Sequence, residues 1–156
     1  YRSPSGNVLK KHMVSVSGLL ETSHRYPNLD YNDLMKLTLL LTRSAAEAEK
    51  LFRLMCFNVF AHNRDDHSKN FSYIYDEDKN NWELAPAYDL TYSNSIGGEH
   101  ATCINGNGIA PGLDDLLAVA QTGGLNKNKA RRTVLEIEAI VKADLSDLLK
   151  QHSVFS

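Results

Sequence analysis

Asp65 and, five positions on, Asn70 are the residues whose types and spacing point most directly to chemistry. A loop carboxylate can accept a hydroxyl proton or orient a nucleophile, and an amide oxygen five residues later can hold a magnesium ion. That is the spacing of a phosphoryl-transfer catalytic loop. The metal then needs a second carboxylate from a neighbouring segment, and Asp89, in Tyr88-Asp89-Leu90, is placed to supply it. Magnesium takes oxygen ligands near octahedral geometry, which Asn70, Asp89, phosphate oxygens and water would provide. Asp-x4-Asn alone arises often by chance; a hairpin and Asp89 behind it make the signal strong.

The neighbouring polar residues have competing readings. Lys69 could reach a phosphate from the same loop or simply face solvent. His67 has a chemical reading and a structural one, as a bridge across the loop backbone. His62 and Asn63 read better as hydrogen-bond formers that hold the loop than as ligands. Asp66 competes with Asp65 as base, but only Asp65 has the five-residue spacing to Asn70. Zinc held by His62, Asp65, Asp66 and His67 is the weaker alternative, because catalytic zinc usually has three convergent ligands with two His on one helical face. Asn105-Gly106-Asn107-Gly108 is no phosphate cradle: it follows no clear strand and comes after the catalytic loop. It reads as a flexible substrate or activation segment.

These groups need elements to position them. Leu34, Leu37, Thr38 and Leu41 recur at helical spacing, with Asp30 or Asn32 as N-cap, so a helix is predicted from Tyr31 to about Thr42. Ser44 and Glu47 form a capping box for a second helix running to Phe60. In its last turns that helix is apolar on most of its circumference, so it is the expected central helix, delivering the chain to the polar loop at His62. Phe71–Tyr75 and Trp82–Ala85, joined by a charged turn, read as a β-hairpin. Asn94–Gly112 is rich in Gly, Asn and Ser and reads as a long functional or mobile loop. Leu113–Gln121 is helical, closed by Gly123-Gly124. Asn126 caps a final helix through Ala130, Val134, Ile137, Val141, Leu145 and Leu148-Leu149. Its basic start at Lys127, Lys129, Arg131 and Arg132 opposes the helix dipole; a solvated face is favoured over a partner-facing patch. Lys10–Leu20 predicts a short helix or ordered loop. Turn residues, including Pro27 and Asn28, fill Glu21–Asp30.

Asn63-Arg64-Asp65-Asp66-His67-Ser68-Lys69-Asn70-Phe71-Ser72, followed by Leu84-Ala85-Pro86-Ala87-Tyr88-Asp89-Leu90, resembles the signature of HipA-like serine/threonine kinases, the toxin components of bacterial toxin–antitoxin pairs. Gly97-Gly98-Glu99-His100-Ala101-Thr102 and the closing helices are also similar. The resemblance implies a fold that is mostly α with a small β-hairpin, the C-terminal helical lobe of a protein-kinase-like fold. By position it implies Asp65 as base, with His67 and Lys69 beside it, and Asn70 and Asp89 as magnesium ligands, with ATP as phosphoryl donor. Ordinary protein kinases differ in two places: His67 stands where they carry a catalytic-loop lysine, and Leu90 replaces the Phe-Gly after their metal aspartate. Both departures are similar to the HipA-like group.

No Gly-x-Gly-x-x-Gly and no strand-borne lysine precede the catalytic loop, so residues 1–156 read as the C-terminal lobe without its nucleotide-cradling lobe, inactive alone. The polar start at Tyr1–Asn7 likewise reads as the middle of a protein. For the whole protein the resemblance implies a protein substrate on the translation machinery and a DNA-binding antitoxin partner, with DNA reached only through that partner. An apolar face left by the missing lobe predicts a homodimer. An aminoglycoside-type small-molecule kinase lobe is the related alternative, and a non-catalytic helical interaction module the unrelated one.

Composition agrees with this class. The 156 residues are 42% apolar and 23% charged, near globular averages, and make one domain or one lobe. A net charge of −2 with no dense basic stripe excludes bulk polyanion binding. Cys56 and Cys103 lack metal-type spacing, and Cys56 lies in an apolar helical pattern, so a free thiol in a reducing cytoplasm is expected. No apolar run approaches the roughly 18 residues of a membrane-spanning helix, and no signal-peptide pattern opens the chain.

Overall fold

A computed structural model describes residues 11–20, 29–93 and 98–152, with side chains described as far as residue 144. Expectations for Tyr1–Asn7, for the Pro27-Asn28 turn, for residues 94–97 and for the side chains of Leu145, Leu148 and Leu149 fall outside the described residues.

The two helices ahead of the catalytic loop form where their caps place them. Helix α2, Tyr31–Thr42, starts at Asp30, whose carboxylate accepts the Asn32 N–H at 2.7 Å, and stops at Arg43 in the left-handed region. Its buried stripe is Tyr31, Leu34, Met35, Thr38 and Thr42. Leu37 and Leu41 pack at the margin of that stripe, not on its centre line. Helix α3, Ala45–Phe60, starts at Ser44, whose hydroxyl accepts the Glu47 N–H at 3.4 Å.

The capping box is only half made. The Glu47 carboxylate does not return to Ser44; it accepts the Leu84 N–H at 2.8 Å and pairs with Lys50 at 2.6 Å. A buried carboxylate meeting a strand N–H and an ammonium gains more than an exposed helix terminus offers. The helix buries Ala48, Leu51, Phe52, Met55, Cys56 and Asn58, and packs against α2, β4 (Asn81–Leu84), α4 (Leu113–Thr122) and α5 (Lys127–His152). It is the central helix, as its apolar pattern predicts. Burial raises the Cys56 thiol to about 12, so this free cysteine is a core group and not a nucleophile.

The hairpin also forms. Strands β3, Ser72–Asp76, and β4 pair antiparallel with Tyr73 opposite Leu84 and Tyr75 opposite Trp82. The Tyr75 and Trp82 rings meet edge-on at 5.3 Å. Asp76 Oδ1 accepts the N–H groups of Asp78 and Lys79 and so closes the charged turn. Lys10–Leu20 differs from expectation. Met13–Ser15 is strand β1, paired antiparallel with β3, and only the single turn α1, Val16–Leu19, is helical. The strand comes from a partner sixty residues away, which no local period records.

Within the expected 94–112 loop, residues 98–112 are more structured than their Gly and Asn content suggests. Strand β5, Thr102–Cys103, pairs in parallel with β2, Leu29–Asp30. Asn105 and Gly106 turn the chain at positive φ, the Gly106 N–H donates to Asp30 Oδ2 at 2.7 Å, and Asn107 donates to Asp115 at 3.1 Å. Asn-Gly-Asn-Gly is therefore a turn latched to the starts of α2 and α4, neither a phosphate cradle nor a loose segment.

Helix α4 closes at Gly123, where an added Cβ would lie 2.8 Å from Met35 Sδ, so the glycine permits helix contact. Asn126 Oδ1 accepts the Lys129 N–H at 3.0 Å and caps α5, whose Ala130, Val134, Ile137 and Val141 face the core. Of the basic residues at its start, Lys129 pairs with Glu49 on α3 at 2.7 Å; Lys127, Arg131 and Arg132 are exposed. No described helix is long and apolar enough to cross a membrane.

Candidate active site

The chain leaves α3 through Ala61 and His62, the latter at φ 52°, and turns back along the helix end. Asn63 is buried and holds this turn twice, donating its N–H to the Asn58 carbonyl and its amide to Asn58 Oδ1, both at 2.9 Å. The expected loop-holding role of Asn63 is therefore met. His62 contributes its carbonyl, which accepts the Ser93 N–H at 3.1 Å, and its ring, set edge-on to Tyr92 at 6.4 Å.

Asp65 points outward, with its side chain 46% exposed, and Oδ1 lies 2.5 Å from His67 Nε2. His67 thus contacts the candidate base itself; it does not bridge the loop backbone. Residues Ser68–Asn70 make one 3-10 turn, closed by Asn70 N–H to the His67 carbonyl at 2.8 Å. That turn brings the Asn70 side chain back over the loop, where Nδ2 donates to the Asp65 carbonyl at 2.7 Å. With its amide nitrogen spent on Asp65, Asn70 keeps its acceptor oxygen, the atom a hard cation would take. Lys69 is exposed and makes no ion pair among the described residues.

Asp89 is exposed and sits at φ 57°, in the left-handed region that Asp and Asn tolerate better than most residues. Its segment is tied to the catalytic loop at both ends. The Tyr88 hydroxyl donates to the Lys69 carbonyl at 2.6 Å and lies 2.7 Å from Ser72 Oγ, so it straddles Asn70. At the other end Ser93 forms a parallel bridge with Asn63. Tyr88, next to Asp89, is thereby held against the residues on either side of Asn70. The Asp89 carboxylate and the Asn70 amide oxygen are donors of the kind magnesium takes.

Asp66 points the other way and is 1% exposed. Its Oδ2 accepts the Tyr31 hydroxyl at 3.0 Å and lies 3.1 Å from His100 Nδ1, while Oδ1 accepts the Thr102 N–H at 3.1 Å. Asn58 Nδ2 donates to the Tyr31 oxygen at 3.0 Å and joins this cluster to the helix end. Burial first, and the Asp66 charge second, push the Tyr31 hydroxyl well above its usual range. Fully engaged and buried, Asp66 is not placed to meet a substrate, whereas Asp65 is open to solvent. The same inward turn breaks up the His62, Asp65, Asp66, His67 zinc set. Among the described residues no three His, Cys, Asp or Glu side chains converge on a metal position.

Sequence reasoning missed Tyr31, Asn58, Tyr88, His100 and Thr102 as site residues. Their signal was faint: His100 and Thr102 stood in a recognised motif with no role attached, and Tyr31 looked like an ordinary first turn.

The similarity of this chain to known proteins agrees with the fold. The HipA-like C-terminal domain family matches residues 2–144. A Sinorhizobium fredii protein named "Putative kinase Y4dM" is 30% identical over 94% of this chain and 37% of its own length. A chain in the structure of the Shewanella oneidensis MR-1 toxin–antitoxin system, HipA and HipB with operator DNA, superposes with a TM-score of 0.74 at 19% identity. That match covers 95% of this chain and 40% of the other, so the chain spans about two-fifths of the length of the relatives it matches. At that identity the structural likeness speaks for the fold, which is the HipA type: mostly helical with a small sheet, and kinase-like. A family match over nearly the whole length, on a fold with the same likeness, places the chain in the HipA-like C-terminal domain family.

Proposed function

We propose that this chain is the catalytic C-terminal lobe of an ATP-dependent serine/threonine protein kinase of the HipA toxin type. Asp65 accepts the proton of the attacking serine or threonine hydroxyl, and Asn70 and Asp89 hold magnesium. His67, in contact with Asp65, orients the carboxylate, and Lys69 stands free to meet a phosphate oxygen. The observation that carries this reading is the Asn70 Nδ2 bond to the Asp65 carbonyl at 2.7 Å, which joins base and metal ligand in one rigid turn. When bound, magnesium would neutralise charge developing on the transferred phosphoryl group. The remaining work belongs to the protein: Asp65 orients the acceptor oxygen, and the Tyr88 and Ser93 ties hold Asp89 beside the loop.

In the whole protein, a lobe outside these residues would cradle the nucleotide. Its substrate would be a protein, and a translation enzyme is the class the family resemblance favours. The antitoxin partner belongs to the same reading, with DNA engaged only through it, as do a cytoplasmic setting and a homodimer. Support for the antitoxin comes from the Shewanella assembly, in which HipA is accompanied by HipB and operator DNA.

Calorimetric titration of the full-length protein with ATP, with and without magnesium, tests the ligand assignment. Asn70→Ala and Asp89→Ala are each expected to weaken magnesium-dependent binding about tenfold or more, the loss typical of a metal ligand or its support. Unchanged magnesium dependence in both variants would remove these residues from the metal site.

A further inference from the structure

Three consecutive carbonyls run through the candidate base, those of Arg64, Asp65 and Asp66. Each accepts a bond from outside the run: from the Ala101 N–H at 3.1 Å, from Asn70 Nδ2 at 2.7 Å and from Thr102 Oγ1 at 2.5 Å. Two of these donors belong to one short segment, His100–Ala101–Thr102. The same segment reaches the Asp66 carboxylate with the Thr102 N–H and His100 Nδ1, both at 3.1 Å. His100 is 6% exposed and Thr102 is fully buried, so water does not compete for these bonds.

We infer that His100–Ala101–Thr102 is a positioning element for Asp65, and that His100 and Thr102 set its rate without touching the reacting groups. This rests on the phosphotransfer reading above. Among the described residues the Asp65 carboxylate meets only His67, so the torsions that aim it are fixed from behind, by the peptide groups on either side. Those groups are held by the 100–102 segment and by Asn70. The segment has its own anchorage: Thr102–Cys103 pairs with Leu29–Asp30, and the His100 N–H donates to the Gly108 carbonyl at 2.7 Å. It can therefore impose a geometry on the loop instead of following it. A buried polar contact is weak evidence for stability, since apolar replacements often serve as well. What the His100–Asp66 contact supplies here is one defined register between two segments.

Donor chemistry makes the inference specific. A carboxylate only accepts, so His100 Nδ1 carries the proton it shares with Asp66. Asparagine at position 100 can offer an amide nitrogen close to where Nδ1 stands, while alanine offers no donor. Valine at 102 keeps the shape and the N–H but loses the hydroxyl, and serine keeps the hydroxyl.

The test uses the full-length protein: initial rates of labelled phosphoryl incorporation into proteins of its own cell lysate at varied ATP, beside hydrogen exchange of amides 64–70. His100→Ala and Thr102→Val are expected to lower the maximal rate about ten- to hundredfold, the scale of a sub-ångström to 1 Å misplacement of a reacting group. KM for ATP stays unchanged, exchange at 64–70 quickens, and His100→Asn and Thr102→Ser recover most of the rate. Wild-type rates in both disruptive variants, or a loss that neither conservative variant recovers, overturn the inference and leave the kinase reading standing. A wild-type protein that transfers no phosphoryl group overturns the kinase reading instead. Exchange at 64–70 then decides the positioning role alone, and no quickening in Thr102→Val overturns it.

Discussion

Asp65→Asn in the full-length protein is expected to lower the rate of phosphoryl transfer about 10²- to 10⁴-fold, the usual contribution of a positioned general base. Asparagine fills the same space and leaves the Asp65 carbonyl, which Asn70 uses, in place. Fold and magnesium–ATP affinity should therefore persist while turnover fails. Steady-state rates beside nucleotide titration separate the two effects. The adjacent pair sharpens the test, because Asp66 lies one residue away but faces the core. A variant at 65 that keeps its rate would return the base assignment to other groups of the loop.

Asp66→Ala should be the most damaging single change to stability, costing about 3–5 kcal/mol, the scale of removing one partner from a buried charged cluster. Three donors lose their acceptor at once: the Tyr31 hydroxyl, the Thr102 N–H and His100 Nδ1. The site is 1% exposed, so bulk water does not replace the lost carboxylate, and donors left unsatisfied drag their segments out of register. Tyr31→Phe removes one donor to Asp66 and the acceptor of Asn58 Nδ2, and should cost about 1–2 kcal/mol. Urea unfolding followed by far-ultraviolet circular dichroism measures both. A loss below about 1 kcal/mol for Asp66→Ala would mean that the cluster is looser than its distances say.

The contrast between the two aspartates shows what a sequence can and cannot disclose. Helices α2 and α3 were legible because their caps and periods are local, and the five-residue spacing of Asp65 and Asn70 is local as well. The hairpin was legible from two aromatic runs and a charged turn. Strands β1, β2 and β5 were not, because each is short and owes its state to a partner far along the chain. Glu47 shows the same limit in one side chain. Its spacing from Ser44 predicts a cap, and a strand N–H that only tertiary structure delivers takes it instead. The Asp66 cluster joins residues 31, 58, 66, 100 and 102, and no window holds them together. Family resemblance carried the motif that contains His100 and Thr102, but only the distances give those residues a task.

The most direct test of the central claim is to incubate the full-length protein with magnesium and γ-labelled ATP in its own cell lysate, and to identify the labelled residue by mass spectrometry. Phosphoserine or phosphothreonine on a protein, present with the wild type and absent with Asp65→Asn, is the predicted result. Label appearing only on a small molecule such as an aminoglycoside, or no label from a folded, nucleotide-binding protein, would contradict it.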